Sequence, residues 1–381
     1  MSDESTPNNQ TSFFKPVFEG NGTRRFQPDE DLPLPPAPTW RRSDRNKAER
    51  GATFKATPEE AELVNAALYL RRPLLVTGKP GTGKTSLAYA IARELGLGEV
   101  LYWPITTRTT LKDGLYLYDA IARLQDANTA KAESSQPSQT PGDRFANIGD
   151  YISLGPLGTA LLQSRKPRIL IVDEIDKSDI DLPNDLLSIF EEGQFKIPEL
   201  ERIKANKQEV TVSTAYQDKD EFTFSDGVVQ SGRTTITNGL VQCDEFPLLI
   251  LTSNGERDFP PPFLRRCVRL TMAQPDDQRL QQILNSHLSQ QQERDRQEEY
   301  SASNLSDIVL GKLITDFLEK RKDSTRGDLA TDQLLNAAYL VMHDRELDPS
   351  TSLTDRKLLI DRLWKHLSSS EDQQSDRSPK P

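Results

Sequence analysis

Residues 74–96 read LLVTGKPGTGKTSLAYAIARELG. A short apolar run ends at Gly78, the pattern of a buried strand. The loop that follows holds Gly78, Lys79, Pro80, Gly81, Thr82 and Gly83, and after it come Lys84, Thr85 and Ser86. Leu87, Ile91 and Leu95 then recur every four residues, which predicts a helix with one apolar face. Strand, glycine loop and helix together form the opening unit of a parallel α/β sheet. Gly78, Gly83, Lys84 and Thr85 satisfy G-x-x-x-x-G-K-[ST]. Glycines let the backbone curl until several N–H groups face one phosphate cluster, and the helix start adds its positive dipole end. In such a loop Lys84 reaches the β and γ phosphates and the Thr85 hydroxyl ligates Mg2+.

A second stretch, ILIVDEID (169–176), supplies what a phosphate cradle lacks. Its four apolar residues predict a buried strand with Asp173 at the C-terminal end, where open α/β sheets place their ligands. A carboxylate there holds Mg2+ through water. Glu174 is surplus to the metal. Beside a γ phosphate it orients or deprotonates an attacking water, so the pair points to hydrolysis rather than binding alone.

The chain of 381 residues allows two or three domains at roughly 150 residues each. No stretch reaches the ~18 apolar residues of a membrane span, and MSDESTPNNQ has no signal pattern, so a soluble, cytoplasmic protein is expected. Cys243 and Cys267 lie in no CxxC, which speaks against zinc and fits a reducing compartment. A net charge of −10 disfavours a broad nucleic-acid face, and the basic run WRRSDRNKAER (40–50) reads as a solvated tail.

Residues 1–50, acidic and proline-rich at DEDLPLPPAPTW, are expected to form a disordered tail, with Phe13, Phe14 and Phe18 the exception that could dock. Order should begin at TPEEAELVNAALYL, where Thr57 caps, Pro58 suits the first helical position, and Glu59 and Glu60 favour the positive helix end. Further strands are expected at 100–106, 168–174 and 247–254, with a flexible polar insertion at 126–144. Runs alternate over 209–245, and Asn238 with Gly239 signals a hairpin turn. A domain boundary is placed near 275. It separates an α/β domain (51–275) from a helical one (276–368), and 369–381 read as a second disordered tail.

GKPGTGKT, DEID and LTSNGERDFPPPFLRRC (251–267), in this order, resemble an AAA+ ATPase of the MoxR type over about residues 55–345. The resemblance implies a P-loop αβα sandwich with a central parallel sheet, then a small all-helical lid. It implies ATP and Mg2+ as ligands, and a homo-oligomeric ring, usually a hexamer. Asn254 matches the sensor-1 position, contacting the γ phosphate or the water. Arg265 and Arg266 match the arginine-finger region, whose guanidinium faces a neighbour's γ phosphate. At sensor 2 the sequence departs from the family, with Asp328 about where a basic residue is common, and Arg326 is the substitute. Residues 114–150 and 205–245 sit where the family carries inserts that project from the ring. Nothing in the sequence resembles the aromatic-hydrophobic-glycine pore loop of unfoldases that thread substrates. The family association implies a protein client, one with a von Willebrand A domain, to be remodelled or activated. A nucleotide-gated assembly switch signalling to an effector, in a bacterial defence or stress system, is the alternative. The acidic charge disfavours a third reading, a nucleic-acid motor or restriction-type NTPase.

Overall fold

The structure, a computed structural model, describes residues 27, 32, 34–41, 51–133, 148–216, 222–223, 229–230, 232–297, 307–322, 329–343, 360 and 364. Phe13, Phe14, Phe18, Arg326, Asp328, the basic run from 42 and the stretch 369–381 lie outside them. The chain divides into two compact units, Asn46–Gln274 and, together, Met1–Arg45 with Pro275–Pro381.

The first unit is built on a sheet of five parallel strands: β1 (Leu74–Thr77), β2 (Leu101–Pro104), β3 (Ile169–Asp173), β4 (Leu248–Ser253) and β5 (Val268–Thr271). Their spatial order is β5-β1-β4-β3-β2. Because successive side chains alternate across a sheet, two cores form. Leu75, Leu170, Val172, Leu249 and Leu251 enter one, and Leu74, Val76, Ile169, Ile171, Leu248 and Ile250 the other. Burial on both faces explains why these strands read as unbroken apolar runs. Each such side chain contributes about 1.5–3 kcal/mol on burial.

Helices Pro58–Leu70 and Lys84–Leu95 supply Val64, Ala67, Leu87, Ala88 and Ile91 to the second core. The first helix starts where its sequence says: Thr57 Oγ1 accepts from the Glu60 amide at 3.2 Å, and Glu60 Oε2 accepts from the Thr57 amide at 2.8 Å. Leu95 departs from the expected apolar face. It is 42 % exposed, because it stands in the last turn where the helix ends at Gly96.

A second, six-stranded sheet runs in the order Tyr116–Tyr118, Ile152–Leu154, Glu209–Ser213, Arg233–Thr237, Leu240–Gln242, Gln194–Lys196. Thr237 pairs with Leu240 across Asn238 (φ 56) and Gly239 (φ 71), both left-handed, as a type I′ turn requires. The polar stretch expected to be a loose insertion is helical over its first part, within Ala120–Glu133. Five alanines in that segment, the strongest helix formers, outweigh its lack of apolar periodicity. Residues 134–147 are outside the described set.

The second unit packs helices Asp277–Gln297, Asp307–Lys322 and Thr331–Met342 around Leu280, Leu284, Phe317, Leu334 and Trp364. The N-terminal stretch belongs to this unit, which corrects the expectation of a free tail over 34–41. The Thr39 amide donates to Gln291 Oε1 at 2.9 Å, and Gln291 is 0 % exposed. The Trp40 indole donates to Asn336 Oδ1 at 3.1 Å, with its ring edge-on to His287 and Tyr339. The Tyr339 hydroxyl donates to the Pro36 carbonyl. Prolines restrict this stretch to extended backbone in advance, and Trp40 adds large apolar contact area, so a composition typical of disorder still docks. Among the described residues no helix is long and apolar enough to cross a membrane.

Candidate active site

The glycine loop leaves β1 and turns into the helix at Gly83, which caps it with φ 93 and no side-chain bond. Its positive φ favours glycine, and a Cβ there would stand in tight contact, 3.1 Å, with the Phe54 ring. Thr82 Oγ1 donates to the Lys79 carbonyl at 2.9 Å and closes the curl. The Lys84 ammonium is buried inside it, donating to Gly78 O at 2.6 Å, Lys79 O at 3.1 Å and Asn254 Oδ1 at 2.8 Å. Burial lowers its pKa, and the carboxylates of Asp176, Asp173 and Glu174 oppose that shift. The cation thus waits among neutral oxygens that a phosphate would replace.

Asp173 ends β3, which lies between β2 and β4 and pairs with both. Thr252 Oγ1 donates to its Oδ1 at 2.6 Å, and the Thr85 hydroxyl, arriving from the glycine loop, does so at 3.4 Å. Tyr102 on β2 donates to Oδ2 at 2.6 Å. Burial and this bond raise the Tyr102 phenol pKa well above its ordinary value, so it stays a donor. A carboxylate and a hydroxyl this close form a hard oxygen donor pair that suits Mg2+ completed by phosphate oxygens and water.

Glu174 follows in left-handed backbone, φ 59 and ψ 48. A non-glycine residue there is strained by about 1 kcal/mol or more and persists only when its surroundings hold it. Here the Glu174 amide donates to Thr252 Oγ1 at 2.9 Å, and its carbonyl accepts from the Lys177 amide at 2.9 Å. The conformation turns its carboxylate toward the loop: Oε1 lies 3.5 Å from Asn254 Nδ2, and Oε2 accepts from Lys177 Nζ at 2.7 Å. Asn254 follows the last residue of β4, between β1 and β3, and so faces both Lys84 and Glu174.

Gly78, Gly81, Thr82, Gly83, Lys84, Thr85, Asp173, Glu174 and Asn254 therefore come together at the C-terminal ends of β1, β3 and β4. Lys79 and Pro80 are exposed at the loop tip, and Ser86 is half-buried in the first helical turn. Arg265 and Arg266 end the helix Pro261–Arg266. Arg266 pairs with Glu191 and donates to the Pro262 carbonyl at 3.1 Å. Arg265 is exposed, and its guanidinium makes no hydrogen bond or ion pair among the described residues. Tyr102, Thr252 and Lys177 have no motif of their own. The alternation of β2, which turns Tyr102 and not Trp103 outward, is the one signal that could have drawn attention to the tyrosine.

Two solved structures are similar at low identity. A closed-state reconstruction of Hsp104 with ATPγS and FITC-casein is 16 % identical, with a TM-score of 0.34, covering 73 % of this chain and 42 % of its own. An S. cerevisiae Hsp104–ADP complex is 12 % identical, with a TM-score of 0.36, covering 80 % of this chain and 45 % of its own. The chain thus spans less than half the length of either. No curated protein matches the sequence. Residues 73–267, more than half of the chain and the part that holds the glycine loop, Asp173, Glu174 and Asn254, match the family described as the AAA domain, dynein-related subfamily, and the chain belongs to that family.

Proposed function

We propose that the chain is a Mg2+-dependent ATPase of the MoxR type, hydrolysing ATP at the interfaces of a homo-oligomeric ring and using turnover to remodel or activate a protein partner. The observation that carries this is the contact chain Lys84–Asn254–Glu174 at the ends of three adjacent strands, which sets a phosphate ligand, a polar orienting group and a base around one point. Lys84 binds the β and γ phosphates. Asp173 and Thr85 would hold Mg2+, which when bound supplies positive charge beside the phosphate oxygens. Asn254 orients a water against the γ phosphorus, and Glu174 takes its proton. For that, Glu174 must leave Lys177. Both groups are 41 % exposed, so the ion pair holds it by only about 0–1 kcal/mol.

With Arg266 engaged by Glu191, Arg265 is the finger we assign, reaching the nucleotide of a neighbouring protomer. By resemblance the ring is a hexamer, 276–368 is its lid domain with Arg326 at sensor 2, the partner carries a von Willebrand A domain, and the setting is cytoplasmic. The net charge of −10 favours a protein client over nucleic acid. A second reading is a nucleotide-gated switch, in which Glu174 rests on Lys177 until a partner releases it. Lys84→Ala should lose ATP binding in calorimetry. Glu174→Gln should bind ATP and release phosphate at least ~100-fold more slowly than wild type. Wild-type turnover in Glu174→Gln sinks the assignment, and slow turnover that no client accelerates selects the switch.

A further inference from the structure

Asp176 has no part in the reaction as set out above, yet it is 4 % exposed. A carboxylate that deep is costly unless hydrogen bonds compensate it. Its Oδ2 accepts from the backbone amides of Asn254 at 2.9 Å and Glu256 at 3.1 Å. Its Oδ1 is buried with no hydrogen-bond partner among the described residues. Asp176 stands in the 3-10 turn Ile175–Lys177 after β3, and the two amides follow β4, so the bonds tie one strand's exit loop to the other's. Thr252 makes the reciprocal tie. From the end of β4 its hydroxyl takes the Glu174 amide and gives to Asp173. The Thr252 tie fixes the base; the Asp176 tie fixes the loop that carries Asn254.

At Asn254 itself the Asp176 bond is the one backbone tie from that loop to another segment among the described residues. Gly255 has φ 78, and a Cβ placed on it would meet no atom within 4 Å, so no side chain packs over the turn. The loop's other ties are a local bond from the Gly255 amide to Ser253 Oγ at 3.0 Å and, three residues past Asn254, a bond from Arg257 Nη1 to the Ser178 carbonyl at 2.8 Å. The Asn254 side chain is nevertheless set at 2.8 Å from Lys84 Nζ and 3.5 Å from Glu174 Oε1. We propose that Asp176 is a positioning residue of this site, its buried carboxylate gripping the Asn254 and Glu256 amides so that the Asn254 side chain is presented between Lys84 and Glu174. The proposal rests on the ATPase reading above.

The test pairs turnover with amide hydrogen exchange in the full-length protein. Asp176→Ala should lower kcat by ~10- to 100-fold, the scale of a small misplacement of a catalytic group. Its Kd for ATP should stay within about 3-fold of wild type, because the glycine loop is untouched. Asp176→Asn keeps an acceptor oxygen of the same reach and should recover most of the loss. Asp176→Ala/Asn254→Ala should be no slower than Asn254→Ala alone, since one residue acts through the other. Exchange at Asn254 and Glu256 should be slow in wild type and fast in Asp176→Ala, with 248–253 still protected. Multiplicative losses in the double variant, ATP affinity falling in step with kcat, or wild-type exchange at those two amides as fast as at an open loop would each overturn the proposal. The last of these is read on wild type and serves even if Asp176→Ala does not fold. A wild-type protein that binds ATP without hydrolysing it defeats the ATPase reading instead, and the exchange data then decide the grip on the loop by themselves.

Discussion

At the scale of single residues, the candidate phosphate-binding set was legible because its chemistry is local. Seven consecutive positions, 79–85, carry both the backbone freedom and the cation that a phosphate needs, and no distant contact changes what they offer. Tyr102, Thr252 and Asp176 were not legible as site residues. Each reaches the site from a different strand end, and their roles exist only through pairings between strands. Cys267 makes a separate prediction. Burial pushes its thiol up to about 12, with Arg72 opposing. An unperturbed cysteine is about half ionised at pH 8.5, whereas Cys267 stays neutral there. Iodoacetamide at that pH should leave Cys267 unmodified in the folded protein and label it after urea, as read by mass spectrometry. The native state holds this proton more tightly than the unfolded chain does. Raising the pH from about 9 toward about 12 therefore ionises the unfolded chain first and lowers stability. Fast labelling of folded Cys267 sinks the argument.

At the scale of elements, local signals succeeded where one short segment decides its own conformation. Thr57 with Glu60 starts its helix, and Asn238 with Gly239 turns its hairpin. They failed over 126–133, where helix propensity without apolar periodicity read as part of a flexible insertion. The hairpin turn gives a prediction. Gly239 has φ 71, and a Cβ there would lie 2.6 Å from the Glu201 amide nitrogen and 3.0 Å from the Ile197 carbonyl. Gly239→Ala therefore meets both backbone strain and a clash with backbone, and should cost about 1–3 kcal/mol. Urea denaturation would register this as a lower midpoint at constant slope. An unchanged midpoint would mean that the turn relaxes without penalty.

At the scale of the whole molecule, the N-terminal stretch is part of the helical unit's stability. Trp40→Ala removes an aromatic that contacts His287, Tyr339 and Asn336, and should destabilise that unit by about 2 kcal/mol. Exchange protection in the helices Asp277–Gln297 and Thr331–Met342 would report it, and unaltered protection would return residues 34–41 to the status of a loose tail. The proposed ring makes a sharper prediction. Arg265→Ala should bind ATP but hydrolyse it slowly, because finger contacts form chiefly to transition-state charge. Glu174→Gln fails for the opposite reason. Mixed, the two inactive proteins should recover phosphate release wherever the sound arginine of one faces the sound base of the other. No recovery in mixtures shown by sedimentation to co-assemble rules out a site shared between chains.

The sequence by itself determined the fold class. Buried parallel strands must read as continuous apolar runs, and the glycine loop after the first of them leaves one family of sheet to build. It also named the candidate phosphate-binding residues, since a loop's backbone chemistry needs no partner. Only the tertiary structure decided that Tyr116–Tyr118 and Ile152–Leu154 share one sheet with the 209–242 strands, that residues 34–41 lie on the helical unit, and that Asp176 grips the Asn254 loop. Each of these joins segments far apart in sequence through backbone hydrogen bonds or a few side chains. Composition and periodicity describe what a segment buries, not which distant amide it will hold.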